Sequence, residues 1–194
     1  MKPFYFVALF YWNKYTKYRN EEYTMQLAIR NKWISLRGSS VVKDMEEKDV
    51  LKVQGKFWTV TRKKFVQTLE GETKFIVRNR FWHFFVWRAL ICNPEKKIVA
   101  TIRRKVFSFH DRYFIHSDFG NFEIKGNILL FNYQILKDGK EIGHVSRKIS
   151  MRDSYVLTID DAEDYYFFVA LVIAIDNISD ARRQGDGSSI SYAD

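Results

Sequence analysis

From Tyr165 to Ile175 the chain reads YYFFVALVIAI, with no charged residue and no polar stripe at any helical angle. A helix that is apolar all round has to be buried all round. The run is too short to cross a bilayer, which takes about 20 residues. A buried strand is the rival reading, because Val169, Val172, Ile173 and Ile175 are β-branched. Two features favour a helix. Asp160 or Asp161 can serve as N-cap, with Glu163 and Asp164 placing further negative charge at the positive end of the helix dipole. Ala170 and Ala174, four apart, make a narrow side that other backbone can approach closely. The expectation is a hydrophobic helix threaded through the middle of a domain, so the rest of the chain has to supply its shell.

At 194 residues the chain is most simply one domain with a sizeable core. An apolar fraction of 46% and an aromatic fraction of 17% exclude a disordered chain. The single cysteine, Cys92, excludes an intrachain disulfide and reads as a small buried hydrophobe on a strand. The net charge of +9 favours anionic partners: phospholipid headgroups, nucleic acid or acidic proteins.

Residues 1–24 stand apart as an N-terminal extension. Phe4 to Trp12 (FYFVALFYW) is long enough for a signal-peptide core, but Asn13 to Arg19 offers no small-residue cleavage site. The extension therefore reads as an ill-packed segment or an extra edge strand. Weak contact with a membrane interface is the next reading, and a start at Met25 is a third. From residue 25 to 178 short alternating segments are broken by turn signals, as in an antiparallel all-β chain of roughly a dozen strands. The punctuation lies at Asp44–Asp49, Glu70–Glu72, Asn93–Lys96, Asp118–Asn121 and Lys137–Lys140, the last carrying the Asp-Gly pair that hairpins prefer. A faint repeat relates Ile98–Lys105 to Ile142–Lys148, and Leu51–Gly55 to Phe122–Gly126. Two related half-sheets would close into one barrel without exposed edges, and the apolar helix would fill it. Residues 179–194 (SDARRQGDGSSISYAD) read as a disordered polar tail.

Leu36 to Gly55, the paired Gly55 and Gly126, Ile98 to Lys105 and above all Asp160 to Asp176 resemble the LURP-one-related family, within the tubby C-terminal-like superfamily. The resemblance implies a tubby-like closed antiparallel β-barrel of about twelve strands around a buried C-terminal hydrophobic helix. Relatives with tubby-like domains bind phosphoinositides through basic surface residues, phospholipid scramblases look like distant members, and plant relatives are linked to defence. The chain lacks the proline-rich N-terminal region and the cysteine cluster of scramblases. Fold alone does not fix the activity.

The basic clusters carry the functional expectation: Arg62, Lys63 and Lys64; Arg103, Arg104 and Lys105; Arg147 and Lys148. Alternation puts Arg103 and Lys105 on one face of their strand and Arg104 on the other. Solvated outer-face charge explains them blandly; an anion-binding surface for lipid phosphates explains them functionally. Asp160, Asp161, Glu163 and Asp164 form a weak calcium candidate, but capping accounts for carboxylates at a helix start. His83, His110, His116 and His144 are scattered and make no His-x-x-x-His pair, so no metal is expected. No nucleophile elbow, P-loop or dinucleotide fingerprint occurs, and neither an enzyme nor a cofactor is expected. The resulting expectation is a monomeric cytoplasmic binding module, peripheral to the membrane, that takes anionic phospholipid headgroups. Nucleic-acid binding, a protein-interaction scaffold and a scramblase-like lipid-associated protein are the alternatives.

Overall fold

The computed structural model describes residues 24–30, 39–55, 63–80, 88–104, 112–128, 130–147 and 154–187. Its centre is the helix α1, Tyr165–Gly187. Phe167 to Ile175 and Ile178 are sealed from solvent all round, as an apolar helix demands. The cap is Asp164, not Asp160 or Asp161: its Oδ1 accepts hydrogen bonds from the N–H of Tyr166 at 2.9 Å and of Phe167 at 3.3 Å. Asp160 closes the preceding turn instead, its Oδ1 accepting from Ala162 N–H at 3.1 Å. The helix also runs beyond the boundary expected at residue 178. Ala181, Arg182, Arg183 and Gln184 are strong helix formers, and nothing stops them before the glycines at 185 and 187. Residues 179–187 are therefore helical, while 188–194 and the extension 1–23 lie outside the described residues.

Twelve antiparallel strands enclose the helix: β1 Thr24–Arg30, β2 Ser39–Asp44, β3 Asp49–Gly55, β4 Lys64–Gln67, β5 Thr73–Arg80, β6 Arg88–Cys92, β7 Ile98–Arg104, β8 Arg112–Ser117, β9 Gly120–Asn127, β10 Asn132–Lys137, β11 Lys140–Arg147 and β12 Ser154–Asp160. Each pairs with its chain neighbours, and β1 closes the ring on β12 with Leu27 opposite Leu157. Every strand thus has a neighbour on both sides, which leaves no edge for an additional strand. Side-chain alternation sends Leu27, Leu51, Val53, Val77, Ile91, Ile102, Ile124, Ile135, Val145 and Leu157 inward onto α1, which packs closest to β4, β5 and β6. Phe75, Phe122, Phe167 and Phe168 meet edge-on or tilted where the helix enters. Gly126, at φ 136°, permits a close crossing: a Cβ there would lie 2.5 Å from Asn132 O.

The repeat is only partly what the sequence suggests. Leu51–Gly55 and Phe122–Gly126 fall on β3 and β9, six strands apart, as two halves of a twelve-stranded ring require. Ile98–Lys105 and Ile142–Lys148 start on β7 and β11, four apart, so no twofold relates them.

Candidate functional site

Antiparallel order sorts the charges to opposite ends of the barrel. At the end where odd-numbered strands start and even-numbered strands finish lie Asp44, Glu46, Glu47, Asp49, Glu70, Glu72, Glu95, Asp118, Asp138, Glu141, Asp160, Asp161, Glu163 and Asp164. Four lysines there pair with these carboxylates, Lys48 with Glu46 at 2.8 Å, Lys74 with Glu72 at 2.8 Å, Lys43 with Asp49 at 3.3 Å and Lys137 with Glu163 at 2.7 Å, and Lys96, Lys97 and Lys140 lie at the same end. The opposite half carries Arg30, Lys63, Lys64, Arg78, Arg80, Arg88, Arg103, Arg104, Arg112, Lys125 and Arg147. On the described strands, Glu123 is the nearest carboxylate to that end, 3.7 Å from Arg112 and 3.1 Å from Lys125.

Register concentrates this charge further. Arg80 lies opposite Arg88, and Arg88 opposite Arg103, in one row across β5, β6 and β7. Arg88 and Arg103 face outward, because Ala89 and Ile102 beside them are buried in the core. Like charges directly opposite each other destabilise a sheet unless a counter-charge joins them. Arg103 is the exposed residue of its strand in that row.

The expected residues divide among three positions. Arg103 is outward and exposed. Arg147 lies opposite the inward Tyr155 on the lumen face, yet is exposed at the rim. Lys64 and Arg104 share the inward parity of Val66 and Ile102, so neither belongs to the outer surface. Lys63 is half-buried just before β4, and Arg62, Lys105 and Lys148 lie outside the described residues. Arg78, Arg80, Arg88, Arg112 and Lys125 join the basic end without having been singled out in the sequence. Arg78, Arg80 and Arg88 flank the most aromatic stretch of the chain, which masks them as part of a buried segment.

Inside the basic end Lys64 Nζ stands 3.7 Å from Asp176 Oδ2, an ion pair enclosed by wall and helix. Asn79 Nδ2 donates to Asn177 O at 3.4 Å, tying β5 to α1 beside it. Burial, then the Asp176 charge, then Tyr113 push the Tyr133 phenol well above its usual range. At the acidic end three of the four candidate calcium ligands are otherwise engaged. Asp160 and Asp164 accept backbone N–H groups, and Glu163 holds Lys137. Among the described residues no three His, Cys, Asp or Glu side chains gather as metal ligands. Glu141 and His144 do have Glu-x-x-His spacing, but on strand β11 they form only an exposed pair at 3.7 Å.

The profile of the LURP-one-related family matches residues 25–176. A protein from Arabidopsis thaliana of known X-ray structure shares the fold, with a TM-score of 0.58 at 17% identity over 81% of this chain and 92% of its own. No curated protein matches.

Proposed function

The chain belongs to the LURP-one-related family, and on that premise we propose that it is a non-enzymatic module whose basic barrel end takes the phosphates of an anionic phospholipid surface. The observation that carries the reading is the segregation of charge between the two barrel ends. An end-on approach brings Arg103, Arg112 and Arg147 to the phosphates and holds the acidic turns at the far side. Each cation near an anionic surface contributes about 1 kcal/mol, and the contacts are screened within about 8 Å at physiological salt. The contact proposed is peripheral, at the cytoplasmic face; among the described residues no helix is long and apolar enough to cross a membrane.

The test is flotation of the full chain with neutral vesicles and with vesicles containing phosphatidylserine, over a salt series. Arg103→Gln/Arg112→Gln/Arg147→Gln removes three charges and should weaken recovery by roughly a hundredfold in partition, about 3 kcal/mol. Equal recovery of wild type and variant on anionic vesicles overturns the reading. So does retardation of nucleic acid at salt concentrations where vesicles no longer bind.

A further inference from the structure

Connections between strands are ordinarily polar, and the Lys137–Lys140 turn at the acidic end reads KDGK. The β9–β10 connection at the basic end, 128–131, reads ILLF. Hydrogen bonds hold it as a tight turn: Phe131 N–H donates to Ile128 O at 3.1 Å, and Leu130 N–H to Asn127 Oδ1 at 3.1 Å. Ile128 is fully buried, and the buried Phe131 ring stacks on Tyr155 at 4.6 Å and 6°. These two anchors fix Phe131 at φ 51°, a conformation that a non-glycine residue keeps only where its surroundings impose it. Between them Leu130 is turned out to solvent, 57% exposed, more than any other large apolar side chain among the described residues. Cations flank it. On one side Arg112 lies opposite Lys125, two residues before the end of β9, and both reach Glu123. On the other, Tyr133 lies opposite Val145, so two residues further along this register position 131 comes level with the exposed Arg147.

We infer that Leu130 is an apolar wedge that enters the acyl boundary of an anionic bilayer while the cations beside it hold the headgroup phosphates. The inference rests on the lipid-binding reading and adds to it a component that charge alone does not supply. A lone exposed apolar side chain is ordinary on a protein surface, and Met45, 44% exposed between β2 and β3, is one. Met45 stands among Asp44, Glu46, Glu47 and Asp49, which an anionic surface repels. Leu130 differs in its place and its support. It projects from the end that meets the phosphates, on a turn whose backbone is already fixed, so burying it has no loop to order. A bilayer interface accepts an aliphatic side chain on a convex turn without a matching hollow. A folded protein partner would have to supply that hollow, and a single-stranded nucleic acid rewards stacked aromatics instead.

The test is flotation of the full chain with neutral vesicles and with vesicles containing phosphatidylserine, using wild type, Leu130→Ser, Leu130→Ile and Met45→Ser. Leu130→Ser should lower partition onto the anionic vesicles about tenfold, through the lost burial of one aliphatic side chain. Leu130→Ile should keep the wild-type partition, and so should Met45→Ser. An apolar contact is not screened, so the ratio of wild type to Leu130→Ser should hold across a salt series. The ratio of wild type to Arg103→Gln/Arg112→Gln/Arg147→Gln should shrink over the same series. In parallel, Leu130→Cys and Met45→Cys each carry a solvent-sensitive fluorophore, the native Cys92 being buried. Emission from position 130 should shift to the blue on anionic vesicles, and emission from position 45 should not. Equal partition of wild type and Leu130→Ser, an equal loss with Met45→Ser, or no shift at position 130 overturns the wedge. Where wild type floats and the arginine variant does not, such a result leaves the charge reading standing. Absence of wild type from the anionic vesicles overturns both, and if Leu130→Ser does not fold the fluorophore decides alone.

Discussion

Lys64→Met is the perturbation that most sharply separates a structural lysine from a binding one. It keeps most of the apolar stem and removes the ammonium, which the structure places 3.7 Å from Asp176 Oδ2 with side chains 13 and 1% exposed. At an effective dielectric constant of about 20, opposite unit charges at such a distance attract by about 4 kcal/mol. Breaking a buried pair from one side costs about 3–5 kcal/mol, because the other charge stays buried. A domain stability of about 5–15 kcal/mol leaves little beyond that. Asp176→Asn should cost less, since the Lys64 stem can carry its ammonium towards solvent. The assay is urea unfolding of wild type, both single variants and Lys64→Met/Asp176→Asn. The double variant should lose clearly less than the sum of the singles, and Lys64→Met should still float with anionic vesicles. An additive cycle or a Lys64→Met deficit under about 0.5 kcal/mol would refute the reasoning.

Leu171 is fully buried on α1, so Leu171→Asp should abolish cooperative folding; a soluble variant with a sharp thermal transition would contradict a helix filling the barrel. Asp164→Ala removes the acceptor for Tyr166 and Phe167 N–H and should cost about 1 kcal/mol by denaturant unfolding, whereas Asp161→Ala, at an exposed turn position, should leave stability nearly unchanged. In alkali, Tyr165 is pushed up to about 12 by burial first and by its hydrogen bond with Tyr166 second, and Tyr133 is pushed well above the usual range. Both folded pKa values exceed the unfolded value of about 10, so stability is present below pH 10 and falls as pH rises from there. Ultraviolet titration should show some tyrosinate appearing only with unfolding; ionisation of every tyrosine near pH 10 with the barrel intact would count against it.

The central helix was legible because Tyr165–Ile175 has no polar face at any angle, a property of composition that no packing arrangement can alter. The strand texture was legible from alternation, and the Lys137–Lys140 hairpin from its Asp-Gly pair: Asp138 and Gly139 adopt φ of 51° and 82°, which that turn requires. The cap was misplaced by three or four residues because any of four neighbouring acidic positions satisfies the same local rule. The helix end at Gly187 was missed because polarity was taken for disorder in a segment of good helix formers. The basic end lay further from view. Along the chain, arginines and carboxylates alternate at intervals of a strand or two, which reads as an ordinary mixed surface. Only antiparallel closure assigns every second strand junction to the same end and separates the two signs. Direction within the wall was a tertiary decision as well. Local alternation separates Arg103 from Arg104, but which of them meets solvent depends on the side of the wall that α1 occupies. Lys64 was read as a surface charge for the same reason: its partner Asp176 is 112 positions away in sequence (176 − 64) and is brought to it only by the helix running through the barrel.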